Sequence, residues 1–460
     1  MNDVEQKNSA FLAVVDASEI GEMTWPSRII FVLLCALPMI TTLLYGGVDT
    51  IFLPVLSLTS AVIIVLWIMD AWSLGELRFS TNLLQLPIIG LLVLGVIQLL
   101  PLGDPGLDGE ALSIAPSHAL SLDQFSTRLF VIRLIAYIIF FGAALAFINS
   151  QGRTKKLVLS IVIFGSVLAF FGALLRLANT EGIYGIRPTP QAIPFGPFVN
   201  QHHFAAFMEM TSGVTLAMLF GGGLKRDRKP FLIIAAVLMG IAIVFTGSRG
   251  GVLSYAGVVA FVVSATYIFH GKAGQAESGG ATGRFSIVAG AVAIGLIVIG
   301  LGFYLGGGDA LLRGIGAGEG YVDITSGRIY FWGVALKIFA SHPILGSGLD
   351  SFGVAFSQFD PRNGLFRVEQ AHNDYLQVLS DGGIIGFACV AAFVVLLFRN
   401  GMKTIASSGD ELGRSIAIGA LGGCFGIAIH SFFDFPLRTP SNALFFLLLA
   451  VLATTRFRSE

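Results

Sequence analysis

Twelve apolar runs of helical length divide this chain, near residues 29–45, 50–69, 82–100, 128–148, 157–177, 203–222, 231–246, 250–269, 286–305, 383–398, 415–433 and 441–455. A run of roughly 17–25 apolar residues is long enough to cross the hydrocarbon core of a bilayer as a helix. Several runs contain Gly or Pro, which membrane helices tolerate. The expected architecture is therefore an all-α polytopic membrane protein of about 12 transmembrane helices. The runs at 231–246 and 441–455 are the shortest. Composition agrees: 55% of the 460 residues are hydrophobic and 12% charged, against about 25% charged in soluble domains. The mean hydropathy is +0.81.

Lys plus Arg and Asp plus Glu balance at 28 each, so charge points to no nucleic-acid partner. Cys35, Cys389 and Cys424 all fall in apolar runs. They offer neither a disulfide framework nor metal spacing and read as small buried hydrophobes. The first 27 residues are polar and mildly acidic, without the basic start and cleavage site of a signal peptide. The first run is expected to be a retained span.

Orientation follows from Lys and Arg in the short loops, which favour the cytoplasm. Alternate connections carry Arg153, Lys155 and Lys156; Lys225, Arg226, Arg228 and Lys229; Lys272 and Arg284; and Arg399, Lys403 and Arg414. Residues 1–28 are then a cytoplasmic segment, 29–455 one membrane domain, and 456–460 a cytoplasmic tail bearing Arg456 and Arg458. The Gly-rich stretch 271–283 reads as a cytoplasmic linker. Loops 101–127, 178–202, 246–249, 306–382 and 434–440 fall outside. No nucleotide is available there, so the energy for any reaction arrives with the substrate.

The long outer loop and its flank hold Arg313, Asp323, Arg328, His342, Asp350, Arg367, Glu369, His372, Asn373, Asp374 and Asp381. Long ordered loops carry function more often than they merely connect. Within it, SGRIYFWGVALKIFASHP sets Ile329, Trp332, Leu336 and Phe339 at helical spacing. That is an amphipathic helix expected to lie on the outer leaflet. HNDYLQVLSDGG reads as a short helix stopped by Gly382 and Gly383, with His372 at its start. His372 is a hydrogen-bonding residue or an acid–base catalyst. Arg249, in the turn TGSRGG, either anchors at the interface or presents a guanidinium to an anion, and a pyrophosphate suits it. Asn200, His202 and His203 open the run at 203–222. Glu209 lies about 10 Å deeper and is expected to pair with Arg133 or Arg176. His430 and Asp434, four apart, share a helix face and either orient or satisfy one another.

Taken in order, these motifs resemble the O-antigen ligase and O-antigen polymerase superfamily of bacterial envelope enzymes. Arg249 and Leu253 match an Arg-three-residues-Leu pattern, and His372 and Gly383 a His-ten-residues-Gly pattern. HPILGSGLDSF, DFPLRTPSNA and FVNQHHFAAF look like further landmarks. In the last, relatives more often show Asn-His-Phe-Ala, which keeps His203 in register rather than His202.

The resemblance implies a GT-C-type, metal-independent glycosyltransferase of the inner membrane that uses no cofactor. It moves a glycan from undecaprenyl diphosphate, on the periplasmic face, to an acceptor hydroxyl. The acceptor is lipid A–core for a ligase, another lipid-linked repeat for a polymerase, or a protein. His372 would be the base and Arg249 the cation facing the diphosphate, with Arg328 or Arg187 as a second cation. Asp374 or Glu369 would set the histidine tautomer. His203, Asn373, His430 and Asp434 would complete the substrate-binding set. A transporter of lipid-linked glycan is the alternative of another class. The lack of internal repeats and the outer placement of the polar groups argue against it.

Overall fold

The computed structural model describes residues 13–16, 23–103, 118–190, 192–222, 226–269, 280–302, 304–305, 327–362 and 368–455. Arg313, Asp323 and Arg367 of the long loop, together with Lys225, Lys272 and the tail, lie outside them. Every apolar run forms a helix: α1 Trp25–Leu43, α2 Phe52–Leu74, α3 Gln85–Gln98, α4 Gln124–Phe147, α5 Gln151–Leu177, α6 Gln201–Phe220, α7 Lys229–Thr246, α8 Arg249–Phe269, α9 Gly280–Gly302, α12 Asp374–Ser407, α13 Glu411–His430 and α14 Pro440–Thr454. Two shorter helices of the long loop, α10 Arg328–Ser341 and α11 Phe352–Phe359, stand between α9 and α12. Ten of the twelve are long and apolar enough to cross a membrane. The two short ones are α3 and α14, of 14 and 15 residues. The run at 231–246 belongs to an 18-residue helix. The chain is an all-α, multi-pass membrane protein. Its one ladder among the described residues pairs β1 Ala13–Asp16 in parallel with β2 Glu76–Phe79.

Polar residues mark the helix starts. Side chains of Thr24, Asp123, Ser150, Asn200, Asn373 and Asp410 accept from backbone N–H groups in the first turns of α1, α4, α5, α6, α12 and α13. Such caps satisfy donors that the helix itself leaves open.

The least apolar span sits deepest. α6 has the lowest mean hydropathy of the ten, 1.2, and 94% of its window is buried. Glu209, Thr211, Ser212 and Thr215 are fully buried in it, away from lipid that would not solvate them. The hydroxyls of Ser212 and Thr215 donate back to the carbonyls of Met208 and Thr211, at 2.6 and 2.9 Å. α6 and α13 touch backbone to backbone: a Cβ on Gly213 would stand 2.8 Å from the Gly419 carbonyl oxygen. Small residues permit this approach where no hydrophobic force drives helices together.

The long loop folds onto α12. α10 buries Val334, Ala335 and Ile338 against Phe352, Ala355 and Phe356 of α11. Ile329 and Leu336 of the expected stripe are 65% and 50% exposed. α10 therefore has two apolar faces, one inside this small core and one outward.

The helix after His372 does not stop at Gly382–Gly383. It bends at Gly383, with φ 61° and ψ −161°, and continues to Ser407. The loop at 343–349 repairs the bend. Backbone N–H groups of Ser347 and Gly348 donate to the carbonyls of Ser380 and Asp381, and those of Ile384 and Ile385 donate to Pro343 and Ile344. Gln98, the last residue of α3, donates to the carbonyls of Leu345 and Asp381 and accepts from the Leu349 N–H. A Cβ on Gly383 would meet the Ile344 carbonyl oxygen at 2.4 Å. The His-ten-residues-Gly spacing thus joins the head of α12 to its bend, about 16 Å lower at 1.5 Å per residue.

Candidate active site

His372 stands just before α12 in a conformation that L side chains rarely adopt, φ +50°. Its neighbours hold it there. The Ala371 N–H donates to Gln377 Oε1 at 2.6 Å. The Asp374 N–H donates to the Ser431 carbonyl at 2.9 Å. Asn373 accepts from the N–H groups of Tyr375 and Leu376 and donates to the Phe432 carbonyl. The imidazole stacks on Phe331 of α10, centroids 6.0 Å apart, and meets the edge of Phe435 at 4.9 Å. Its side chain is 32% exposed.

That exposed part faces a cavity of about 380 Å³ lined by Arg176, Ile193, Gln201, His202, Thr246, Gly247, Arg249, Gly250, Arg328 and His372. Two residues expected to act together, 123 positions apart in the chain, are thereby placed on one cavity. Arg249 comes from the α7–α8 turn, where Gly247 supplies the left-handed cap that reverses the chain. Arg328 opens α10, one helical turn before Phe331. Three of the ten lining residues are arginines and none is Asp or Glu, so the cavity suits an anion.

Among the described residues, the carboxylate of Asp434 backs this wall. Asp434 is 1% exposed. Its Oδ1 is 3.3 Å from His372 Nδ1, and its Oδ2 is 3.6 Å from Arg328 Nη2 and 4.0 Å from His202 Nε2. Burial alone would push its carboxyl up. The imidazoles of His202, His372 and His203 outweigh that and hold it well below the usual carboxylate range. His202 Nδ1 also shares a 2.8 Å hydrogen bond with Ser248 Oγ, which ties α6 to the turn bearing Arg249.

The other expected residues lie elsewhere. His203 points away from the cavity, bonded to Thr439 Oγ1 at 2.7 Å, while His202 lines it. Adjacent helical residues diverge by about 100°, so only one of the two reaches the cavity. Arg187 is committed to Asp49 through two hydrogen bonds of 2.7 and 2.8 Å. Asp49 holds the guanidinium above its ordinary value, against the smaller effect of burial. Glu369 Oε2 lies close to Gly353 of α11. Asp374 accepts from Ser431 Oγ at 2.9 Å on the far side of the turn. The carboxylate beside His372 is Asp434 instead. His430 does not pair with Asp434 through its side chain. Its Nδ1 shares a 2.8 Å bond with Glu209 Oε1, both groups buried. Glu209 therefore meets His430 rather than Arg133 or Arg176.

Sequence reasoning passed over Gln201, His202 and Arg176 as cavity residues. It also passed over Arg438, which bonds Asp350 and reaches Asp381 Oδ2 at 2.8 Å. Burial opposes the charge of Arg438, and Asp350 and Asp381 restore it, leaving its pKa raised. This triad fastens the 346–350 loop and the α12 bend to the segment that carries Asp434. Among the described residues no group of three or more His, Cys, Asp or Glu converges as metal ligands would.

No curated protein matches the chain. Residues 234–408 match the O-antigen ligase family. That stretch contains Arg249, Arg328 and His372, three of the residues that line the cavity. Over that stretch the match supports a place in the O-antigen ligase and polymerase superfamily.

Proposed function

We propose that the protein transfers a glycan from undecaprenyl diphosphate to an acceptor hydroxyl at the periplasmic face of the inner membrane, most specifically O-antigen to lipid A–core. The observation that carries this reading is the cavity itself: three arginines and two partly exposed histidines, His202 and His372, converge on it, and the carboxylate of Asp434 is set behind them.

His372 Nδ1 lies 3.3 Å from Asp434 Oδ1; in this scheme the proton sits on that nitrogen and Nε2 carries the lone pair. The acceptor oxygen attacks the anomeric carbon as His372 Nε2 takes its proton. The bond from that carbon to the diphosphate oxygen breaks, and undecaprenyl diphosphate leaves with the electron pair. The displacement occurs in one step and inverts the anomeric centre. Arg249 and Arg328 meet the charge that grows on the leaving group, in a wall partly screened from water. The donor is already activated, so no nucleotide, metal or cofactor enters this scheme.

Purified protein supplied with a lipid-linked repeat and, separately, lipid A–core, a second lipid-linked repeat or an acceptor protein tests the reading. Transfer to lipid A–core alone is expected. His372→Ala should lower it by about 10²–10⁴, the usual contribution of a general base. Full transfer by a folded His372→Ala protein rejects the base assignment. In cells, deletion should remove polymer from lipid A and leave lipid-linked polymer behind. Accumulated single repeats would mark a polymerase.

A further inference from the structure

A second cavity, of about 200 Å³, lies on the other side of the His372 turn, between α4, α12, α13 and α14. Its walls are mainly apolar, with Val378, Val394, Leu397 and Ile427 among them. Phe130, Val378, Val390 and Val394 are only partly buried, so the cavity opens sideways toward the membrane. Its residues on α4 are Phe130, Arg133 and Tyr137, one face of that helix.

Two of these are polar groups with no hydrogen-bond partner among the described residues. Arg133 has neither a carboxylate nor a hydrogen-bond partner among the described residues. The Tyr137 hydroxyl is buried and makes no hydrogen bond. α4 begins at the site end, where the Leu122 N–H donates to the Ser347 carbonyl. Arg133 is then about 14 Å down the helix and Tyr137 about 6 Å further. An unpaired cation at such depth is costly and is retained where something meets it. The other charged lining groups are engaged: Asp374 accepts from Ser431, and Arg438 is bound to Asp350 and Asp381.

We propose that this cavity is a lipid site that takes one acyl chain of an anionic phospholipid, with Arg133 as the counter-ion of its phosphate. The order along α4 fits that chemistry: phosphate at Arg133, ester carbonyl at the Tyr137 hydroxyl one turn deeper, hydrocarbon between α12 and α13. The occupant is a membrane lipid and not a substrate. His372 faces the arginine cavity and Asp374 faces this one, with the 431–437 segment between them. A hydroxyl held here does not reach His372. The lipid instead braces the back of the wall that carries Asp434.

The test is native mass spectrometry of the full-length protein, equilibrated in mild detergent with equimolar phosphatidylglycerol and phosphatidylcholine. The adduct read is the last to leave as collision energy rises. Wild type is expected to favour phosphatidylglycerol by about tenfold, the size of one charge-assisted contact. Arg133→Gln should bring the ratio near one without changing the melting temperature in detergent alone, and Arg133→Lys should keep most of the preference. Val394→Trp, which fills the cavity, should remove both late adducts. Equal retention in wild type, an unchanged ratio in Arg133→Gln, or an unchanged adduct in Val394→Trp overturns the proposal. So does displacement of phosphatidylglycerol by lipid A–core, which would assign the cavity to an acceptor. None of these readouts depends on glycan transfer.

Discussion

The two ends of the helical bundle each bury an aspartate against arginine, and they do so differently. At the end away from the site, Asp70 of α2 is fully enclosed. Arg78 Nε donates to it at 2.9 Å, and the Thr24 hydroxyl donates as well. Arg153 beside it is bonded to Ser27 Oγ and the Phe147 carbonyl, at 2.7 and 2.8 Å. At the site end, Asp434 is as deeply buried, but the imidazoles of His372 and His202 and the guanidinium of Arg328 stand 3.3–4.0 Å away and its Oδ2 accepts no hydrogen bond. Arg328 and His372, which flank it, also border the cavity. A closed network spends its hydrogen bonds on holding helices together. An open one leaves directional capacity for a substrate, and the imidazoles of His202, His372 and His203 hold its carboxyl below the usual range.

Breaking the closed network should therefore cost stability and leave the chemistry alone. Arg78→Met strands a carboxylate with 0% side-chain exposure, and about 3–5 kcal/mol of stability should be lost. Thermal unfolding in detergent measures this, and transfer per folded molecule should be unchanged. A fall in transfer without loss of stability would erase the distinction between the two ends. Asp434→Asn, of nearly the same shape, should do the reverse. Transfer should drop by about 10², because the histidine loses both the group that sets its tautomer and the charge that stabilises its protonated form. Arg328→Lys keeps the charge but not the planar fork, and about tenfold less transfer is expected, mainly in the catalytic rate. If Arg328→Lys instead matches wild type, Arg328 serves Asp434 as a point charge and contacts no substrate.

Much of this was legible from residue pattern, and the reasons for the remainder are physical. Each apolar run became a helix because in lipid a backbone has few other ways to satisfy itself. Arg249 and His372 stood out because each sits in a local motif whose geometry is short-range: a Gly-capped turn, and a helix start above a Gly bend. Asp434 was legible as a polar residue at the end of an apolar run, but its partner was not. The helix α13 ends at His430, so a spacing of four no longer sets two side chains side by side. Gln98 and the Arg438 triad join residues 57 to 283 positions apart. Such contacts leave no periodic trace. His202 and His203 differ by one position, and only the rotation of α6 decides which one meets the cavity.

The smallest effect expected concerns acid. The folded-state pKa of Asp434 is depressed below its unfolded value, which is about 3.9 for an aspartate. Its ionisation therefore contributes stability in full above about pH 5, and that contribution is lost as pH falls through the lower, folded value. Wild type and Asp434→Asn should thus unfold with a constant difference in stability between about pH 5 and 8. The gap should narrow only below about pH 4, as the wild-type carboxylate begins to be held neutral in the unfolded chain and then in the folded one. The same carboxylate stays charged wherever the enzyme works, so Asp434→Asn should lose transfer by a similar factor at pH 6 and pH 8. A gap in stability that closes between pH 6 and 8 would point to the imidazoles around the carboxylate, not the carboxylate itself, as the groups that gain or lose charge. The open network at the site end would then be built on histidine charge, and its contrast with the closed one would rest on a different residue.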